Sequence, residues 1–198
     1  MSSPSDAVLE LFRETGAYLR GHFRLSSGLH SREYLQCALV LQHPVHAAAL
    51  GVRLADALRA VAPRVDVVIS PAMGGLMIGH EVARAFGVRH IFTERDPSTG
   101  KMVLRRGFSV SEGETAVIVE DVITTGGSTR DVVGVLERAG ANVVAAGSII
   151  DRSGGQADVG VPRVALATLN VVTYAPENCP LCQQGVPVVK PGSRPSAS

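Results

Sequence analysis

The sequence predicts an α/β fold with a central, mostly parallel, doubly wound sheet and helices on both faces. Three observations carry that prediction. β-branched apolar runs at residues 65–70, 117–123 and 142–150 alternate with stretches of helical periodicity. Two of those runs end in glycine-containing loops, Pro71-Ala72-Met73-Gly74-Gly75 and Thr124-Thr125-Gly126-Gly127-Ser128, each leading directly into a helix. The chain has 198 residues, 45% of them hydrophobic, which is enough for one sizeable core.

Taken in order, Val8, Leu9, Leu11 and Phe12 place an apolar stripe on a first helix ending near Gly16. Residues 21–36 read as a surface hairpin, with Phe23 and Leu25 on one side of a Ser26-Ser27-Gly28 turn and Tyr34 on the other. His43-Pro44 opens a broad-faced helix that Pro63 closes. After the run 65–70, a helix over 76–86 and a strand near 88–92 are expected. Residues 93–108 form the longest polar stretch within the fold, and a mobile loop is expected there. A helix over 130–138, a strand over 142–150 and further strand material at 161–169 and 171–174 complete the pattern.

The stretch 117–129 organises the rest. A buried strand ends in Glu120-Asp121, then Val122 and Ile123, and a Thr/Gly loop curls into a helix. Backbone N–H groups of such a loop converge at the positive end of the helix dipole and bind phosphate. The two acids repel phosphate and instead suit vicinal hydroxyls or a Mg²⁺-bridged group one sugar away. A ribose 5-phosphate matches that polarity; a simple tight turn beside a solvated strand end is the competing reading. No Gly-Lys-Ser/Thr follows and the glycine spacing differs from Gly-x-Gly-x-x-Gly, so triphosphate and dinucleotide sites lose support.

Other classes are bounded by composition. A net charge of +1 gives no sign of a nucleic-acid or membrane surface. The N-terminus lacks signal-peptide character and no apolar run approaches the roughly 18 residues of a membrane span, so a cytoplasmic protein is expected. No Gly-x-Ser-x-Gly elbow is present. Cys37, Cys179 and Cys182 are too few for a disulfide framework, and Cys179-x-x-Cys182, with no close histidine in sequence, supplies half of a zinc site. A structural or incidental role is expected for that pair. Lys101 is the only lysine before position 190.

The stretch 117–129 closely resembles the phosphoribosyl pyrophosphate (PRPP) motif of type I phosphoribosyltransferases. The hairpin around Ser26-Ser27-Gly28, with Tyr34, and the strand-end pair Asp151-Arg152 resemble orotate phosphoribosyltransferases in particular. The resemblance covers about three-quarters of the chain. It implies a phosphoribosyltransferase-like fold with a small N-terminal hood, one domain over 1–198, with residues 1–40 contributing to the hood, 41–175 forming the α/β core and 186–198 a flexible tail.

It also implies roles. PRPP would be held by Gly74, Gly75, Arg95, Lys101, Glu120, Asp121, Val122, Ile123, Thr124, Thr125, Gly126, Gly127 and Ser128, with Lys101 and Asp121 catalytic. Orotate would be held by Tyr34, Thr124 and Arg152, although an ion pair between Arg152 and Asp151 explains that pair equally well. Mg²⁺ would be bound mainly through PRPP, with no protein metal ligand assigned. A homodimer is implied, with Lys101 reaching into the neighbouring active site. The sequence departs from commoner members in having Ser26 and Gly74 where lysines are frequent, and in a short loop at 93–108 without histidine. Arg95, Lys101, Arg105 or Arg106 would then carry more of the pyrophosphate charge. The activity expected is transfer of ribose 5-phosphate from PRPP to orotate in pyrimidine biosynthesis. The alternatives are a purine or xanthine transferase and a non-enzymatic PRPP-binding regulator.

Overall fold

The computed structural model describes residues 4–25 and 27–191. In chain order the elements are α1 (Pro4–Glu14), β1 (Tyr18–Arg24), β2 (His30–Leu35), α2 (Cys37–Leu41), α3 (Pro44–Arg59), β3 (Val67–Pro71), α4 (Gly75–Phe86) and β4 (Arg89–Arg95). They continue as β5 (Met102–Leu104), β6 (Thr115–Ile123), α5 (Gly127–Arg138), β7 (Asn142–Asp151), β8 (Arg163–Thr168), β9 (Thr173–Tyr174), a 3-10 turn at Pro176–Asn178 and α6 (Pro180–Gln183).

Six strands form the main sheet in the order β5-β4-β3-β6-β7-β8. All its pairings are parallel except β4 with β5. The innermost strands are buried on both faces, which is why β3 and β6 read as continuous apolar runs instead of alternating ones. Helices α1 to α4 contribute to one core layer, around Phe12, Leu54, Leu58 and Val119; α5 covers the other, around Ile118, Val132 and Leu136. The sheet is therefore doubly wound, as the alternation of strand and helix predicts.

A second sheet, β1-β2-β9, stands apart as the hood. β1 and β2 pair antiparallel around a tight turn in which Gly28 takes φ +85° and donates its N–H to Leu25 O at 3.0 Å. Ser26, part of the expected turn, lies outside the described residues. β9 joins β2 through only two residue pairs, His30 with Tyr174 and Ser31 with Thr173. Of the expected tail, residues 186–189 run along β1 instead of standing free: Arg24 N–H donates to Val189 O at 2.9 Å and Val189 N–H to His22 O at 2.8 Å.

The polar stretch 93–108 departs from expectation. It is a hairpin on the sheet edge, with Thr93 opposite Leu104, Glu94 opposite Val103 and Arg95 opposite Met102. Met102 is buried and anchors β5 to the second core layer. The hairpin tip is knotted by Asp96, which accepts from the Ser98 hydroxyl and from the N–H groups of Ser98 and Thr99 at 2.9 Å. Those bonds, led by the Ser98 hydroxyl, hold its carboxyl down to about 2. Three-residue edge strands carry little periodicity, which is why the sequence shows a loop there.

Leu54 on α3 is fully buried, whereas Val45 on the same helix is 77% exposed. Leu54→Ala should cost about 2–5 kcal/mol of unfolding free energy in urea denaturation, and Val45→Ala no more than about 0.5 kcal/mol.

Candidate active site

β3 and β6 are adjacent and parallel, with Val67 beside Ala116 and Ile69 beside Ile118. The loops that follow them therefore open side by side at the carboxyl edge of the sheet, where ligands of doubly wound folds sit. A cavity of about 300 Å³ lies there, lined by Gly74, Gly75, Arg95, Glu120, Asp121 and Ser128 among others.

Each loop owes its shape to identifiable contacts. A Cβ on Gly74 would lie 2.5 Å from Asp121 Oδ1, and one on Gly75 2.8 Å from Val119 O. Small residues at 74 and 75 thus keep the first loop against β6, and the close neighbour of Gly74 is a carboxylate. Gly126 takes φ +76°, and α5 begins at Gly127, one turn's worth of residues earlier than helical periodicity from Arg130 implies. Ser128 and Thr129 consequently lie in the first helical turn, with the free N–H groups of that turn aimed at the crevice.

The two acids end the buried part of β6. Glu120 is 7% exposed and its Oε1 has no hydrogen-bond partner. Burial, with the adjacent Asp121 charge, pushes its carboxyl up from 4.5 to about 8. Burial also raises Asp121, against the opposing effect of backbone N–H donors, of which Val122 N–H lies 2.9 Å from Oδ1. Opposite them, Arg95 donates to Gly100 O at 2.8 Å and approaches Ser128 Oγ and Asp131 Oδ2, each at 3.4 Å. The crevice thus has an acidic wall and a cationic rim.

Other residues implicated from sequence divide by position. Thr124 and Thr125 are exposed in the loop, whereas the Ile123 side chain is buried in the second core layer and leaves only its backbone for a ligand. Val122 is half-buried and lines the cavity. Lys101, at the hairpin tip, lines a separate, wider hollow with Arg130 and Arg138 beside α5, not this crevice. Arg106 is bound to Glu94 through two bonds of 2.8 and 2.9 Å and stacks over Phe92, so it is committed elsewhere.

Arg152 follows β7 and is held by its N–H donating to Ile123 O at 2.8 Å. The ion pair with Asp151 does not form. Asp151 is fully buried and instead takes Arg163 from β8, together with the Ser153 hydroxyl at 2.6 Å and the Ser153 N–H at 2.8 Å. Burial opposes ionisation there, yet those bonds keep Asp151 below the usual carboxylate range. Arg152 Nε is left buried without a partner. Burial lowers the Arg152 guanidinium, while Tyr34 and Cys37 act in the other direction. Burial raises the Tyr34 phenol, and the Arg152 charge opposes it. Tyr34, carried by β2 of the hood and packed 5.9 Å from Phe23, therefore shares one electrostatic neighbourhood with Arg152 and Asp121.

Sequence spacing missed one constellation. Cys179 and Cys182 have no histidine near them in the chain, yet His22 and His30 of the hood hairpin lie against them. The alternation of histidines across a hairpin turn was the available signal, and it has no meaning until the C-terminal segment is docked.

A glycine-lined anion loop, paired acids at the end of the central strand and a hood over the strand ends define a phosphoribosyltransferase, and residues 41–170 match the family described as phosphoribosyl transferase domain. An orotate phosphoribosyltransferase of Pelotomaculum thermopropionicum is 54% identical over 189 residues, spanning 96% of this chain and 97% of that protein. One from Heliobacterium modesticaldum is 53% identical over 189 residues, spanning 96% and 98%. The crystal structure of orotate phosphoribosyltransferase from Aeropyrum pernix superposes with a TM-score of 0.65 at 28% identity, covering 82% of this chain and 93% of that one. The chain belongs to the orotate phosphoribosyltransferase family. Among the described residues, no helix is long and apolar enough to cross a membrane.

Because Glu120 titrates near 8 when folded and near 4.5 when unfolded, the folded state holds a proton that the unfolded state has lost between those values. Its contribution to stability therefore falls as pH rises through that window. Glu120→Gln should be more stable than the parent protein by a margin that grows from about pH 5 to about pH 8 in urea titrations without ligand. A margin independent of pH would contradict the assignment.

Proposed function

We propose that this crevice transfers ribose 5-phosphate from PRPP to N1 of orotate, giving orotidine 5′-phosphate and pyrophosphate. The observation that carries the reading is the Glu120-Asp121 pair, Glu120 buried and Asp121 half-buried, which lines one cavity with Gly74, Gly75 and Ser128, while Arg152, its Nε buried without a partner, acts on Tyr34 together with Asp121. The N–H groups of residues 124–128 and the Ser128 hydroxyl hold the 5′-phosphate, aided by the α5 dipole. Glu120 and Asp121 accept the ribose hydroxyls; once those donors arrive, Glu120 ionises and the two carboxylates counter the positive charge that develops at the anomeric carbon. Arg95 faces the departing pyrophosphate beside Gly74 and Gly75. Positioning and charge, without a protein nucleophile, lower the barrier.

Phosphoribosyltransferases generally use Mg²⁺ with PRPP. The site fits such a cation: Glu120 Oε1 is buried without a partner and Asp121 stands beside it. When bound, Mg²⁺ supplies charge neutralisation for the leaving pyrophosphate.

Arg152 is the residue for orotate. Its planar fork suits bidentate capture of a carboxylate, and a purine would leave the buried guanidinium without a counter-charge. Tyr34 and Thr124 flank the base. Lys101 lines a hollow beside α5 and not the crevice of its own chain, in keeping with a homodimer in which it closes over the partner's pyrophosphate. Met73, 79% exposed, and Met77, 50% exposed, offer apolar surface for such a partner beside the first loop. The soluble substrates fit a cytoplasmic setting.

Orotate loss should be seen by absorbance when PRPP and Mg²⁺ are supplied, with hypoxanthine, xanthine, adenine and uracil not consumed; turnover of a purine without orotate would overturn the reading. Arg152→Ala should raise the orotate KM by at least about tenfold and leave the PRPP KM within about threefold. Lys101→Ala should lower kcat by at least about tenfold with an unchanged circular dichroism spectrum. In mixtures with Asp121→Asn, a Lys101 that acts across an interface should give partial recovery of activity, and strict additivity of the two variants would argue for action within one chain.

A further inference from the structure

The hood carries a second cluster of chemically potent side chains, away from the crevice. His22 of β1, His30 of β2, Cys179 before α6 and Cys182 within it bring one ligand atom each to within 4.8 Å of one another. Cys179 Sγ lies 3.5 Å from His22 Nε2, and Cys182 Sγ lies 3.7 Å from His22 Nε2 and 3.3 Å from His30 Nδ1. Around a tetrahedral zinc with ordinary Zn–N and Zn–S bond lengths, a nitrogen and a sulfur stand roughly 3.5 Å apart. The histidine nitrogens, 2.8 Å apart, need to separate by roughly half an ångström to reach the corresponding N–N edge.

Three of the four ligands are buried: His22 is 3% exposed, His30 6% and Cys179 0%; Cys182 faces solvent and gives an entry path. The outer partner is also in place. Val186 O lies 2.7 Å from His22 Nδ1, so this nitrogen carries the proton and donates it to the carbonyl, leaving the Nε2 lone pair aimed into the cluster. Two thiols and two imidazoles, all four protein-derived, match a closed structural site for a borderline-soft ion.

We propose that His22, His30, Cys179 and Cys182 bind one structural Zn²⁺ that staples the C-terminal segment to the hood. The need for a staple is visible in the backbone. β9 meets β2 at two residue pairs, and past α6 the described residues return to β1 at one isolated bridge, Phe23 with Val189, and at the His22–Val186 contact. A metal joining positions 22 and 30 to positions 179 and 182 closes a loop of up to 160 positions and fixes β2, the strand that also presents Tyr34. The cluster shares no ligand with the crevice acids, so it acts through the hood and not in the transfer chemistry.

The test is metal content and cobalt substitution on the full chain, purified with a phosphine reductant and without chelator. Elemental analysis should find about one zinc per chain. Stripped protein titrated with Co²⁺ should develop thiolate-to-cobalt charge-transfer absorption and the intense visible bands of a tetrahedral centre, saturating at about one equivalent and displaced by Zn²⁺. Cys182→Ser, at the exposed ligand, should weaken Co²⁺ binding by at least about tenfold and reduce the charge-transfer intensity, with circular dichroism unchanged. Stripping the metal should lower Tm. Absence of cobalt uptake by the parent chain, an octahedral spectrum without thiolate bands, zinc content unaltered in Cys179→Ser/Cys182→Ser, or recovery as a metal-free Cys179–Cys182 disulfide under reductant would each overturn the proposal.

Discussion

Two adjacent acids near the end of β6, a central strand of the main sheet, are the constraint around which the molecule is arranged. Neighbouring residues on a strand point to opposite faces, so Glu120 and Asp121 approach the same cavity from different sides. Glu120 reaches the crevice from beneath α5, and Asp121 lies against Gly74 of the neighbouring loop. Neither has a cationic partner close enough to keep it in the ordinary carboxylate range, and burial raises both. An unpaired buried carboxyl is destabilising, and the fold tolerates it where a ligand supplies the missing donors. The glycines at 74 and 75 follow from the same constraint, since side chains there would collide with the Asp121 carboxylate and the β6 backbone.

The proposed orotate half of the crevice depends on a complementary device. Asp151 could neutralise Arg152, being next to it in sequence, but the sheet turns the two to opposite sides. Asp151 is drawn into a network with Arg163 and Ser153, which fixes the end of β7 and leaves Arg152 Nε without a partner, as the proposed capture of a substrate carboxylate requires. The hood then brings Tyr34 into the electrostatic neighbourhood of that guanidinium. Hood and sheet make separate hydrogen-bonded sheets, so the position of Tyr34 rests on how firmly β2 is held. A metal at the far end of the same strand would hold it.

Much of the fold was readable because burial leaves a local pattern. β3, β6 and β7 are apolar on both faces, and α3, α4 and α5 carry one apolar stripe each, so strand and helix periodicities declare themselves in a few residues. The motif at 117–129 was readable for the same reason: strand, acids, loop and helix are contiguous. What was not readable depends on contacts between distant segments. The β4–β5 hairpin has one buried anchor, Met102, within a polar run, and a mobile loop has the same composition. The partner of Asp151 is set by the register of β8, not by the neighbouring arginine. The cluster of His22, His30, Cys179 and Cys182 joins residues up to 160 positions apart. Its cysteine half is visible in sequence and its histidine half is not, because the hairpin that pairs the histidines gives no hint of what packs on it.

In the proposed transfer, Glu120 is protonated in the free protein and ionises when ribose hydroxyls and Mg²⁺ enter. Calorimetric titration with Mg²⁺-saturated PRPP, repeated at about pH 7 in buffers of different ionisation enthalpy, reads that proton directly. The expected result is release of close to one proton per chain on binding, abolished in Glu120→Gln. Binding with no net proton release, or release that persists unchanged in the variant, would contradict it.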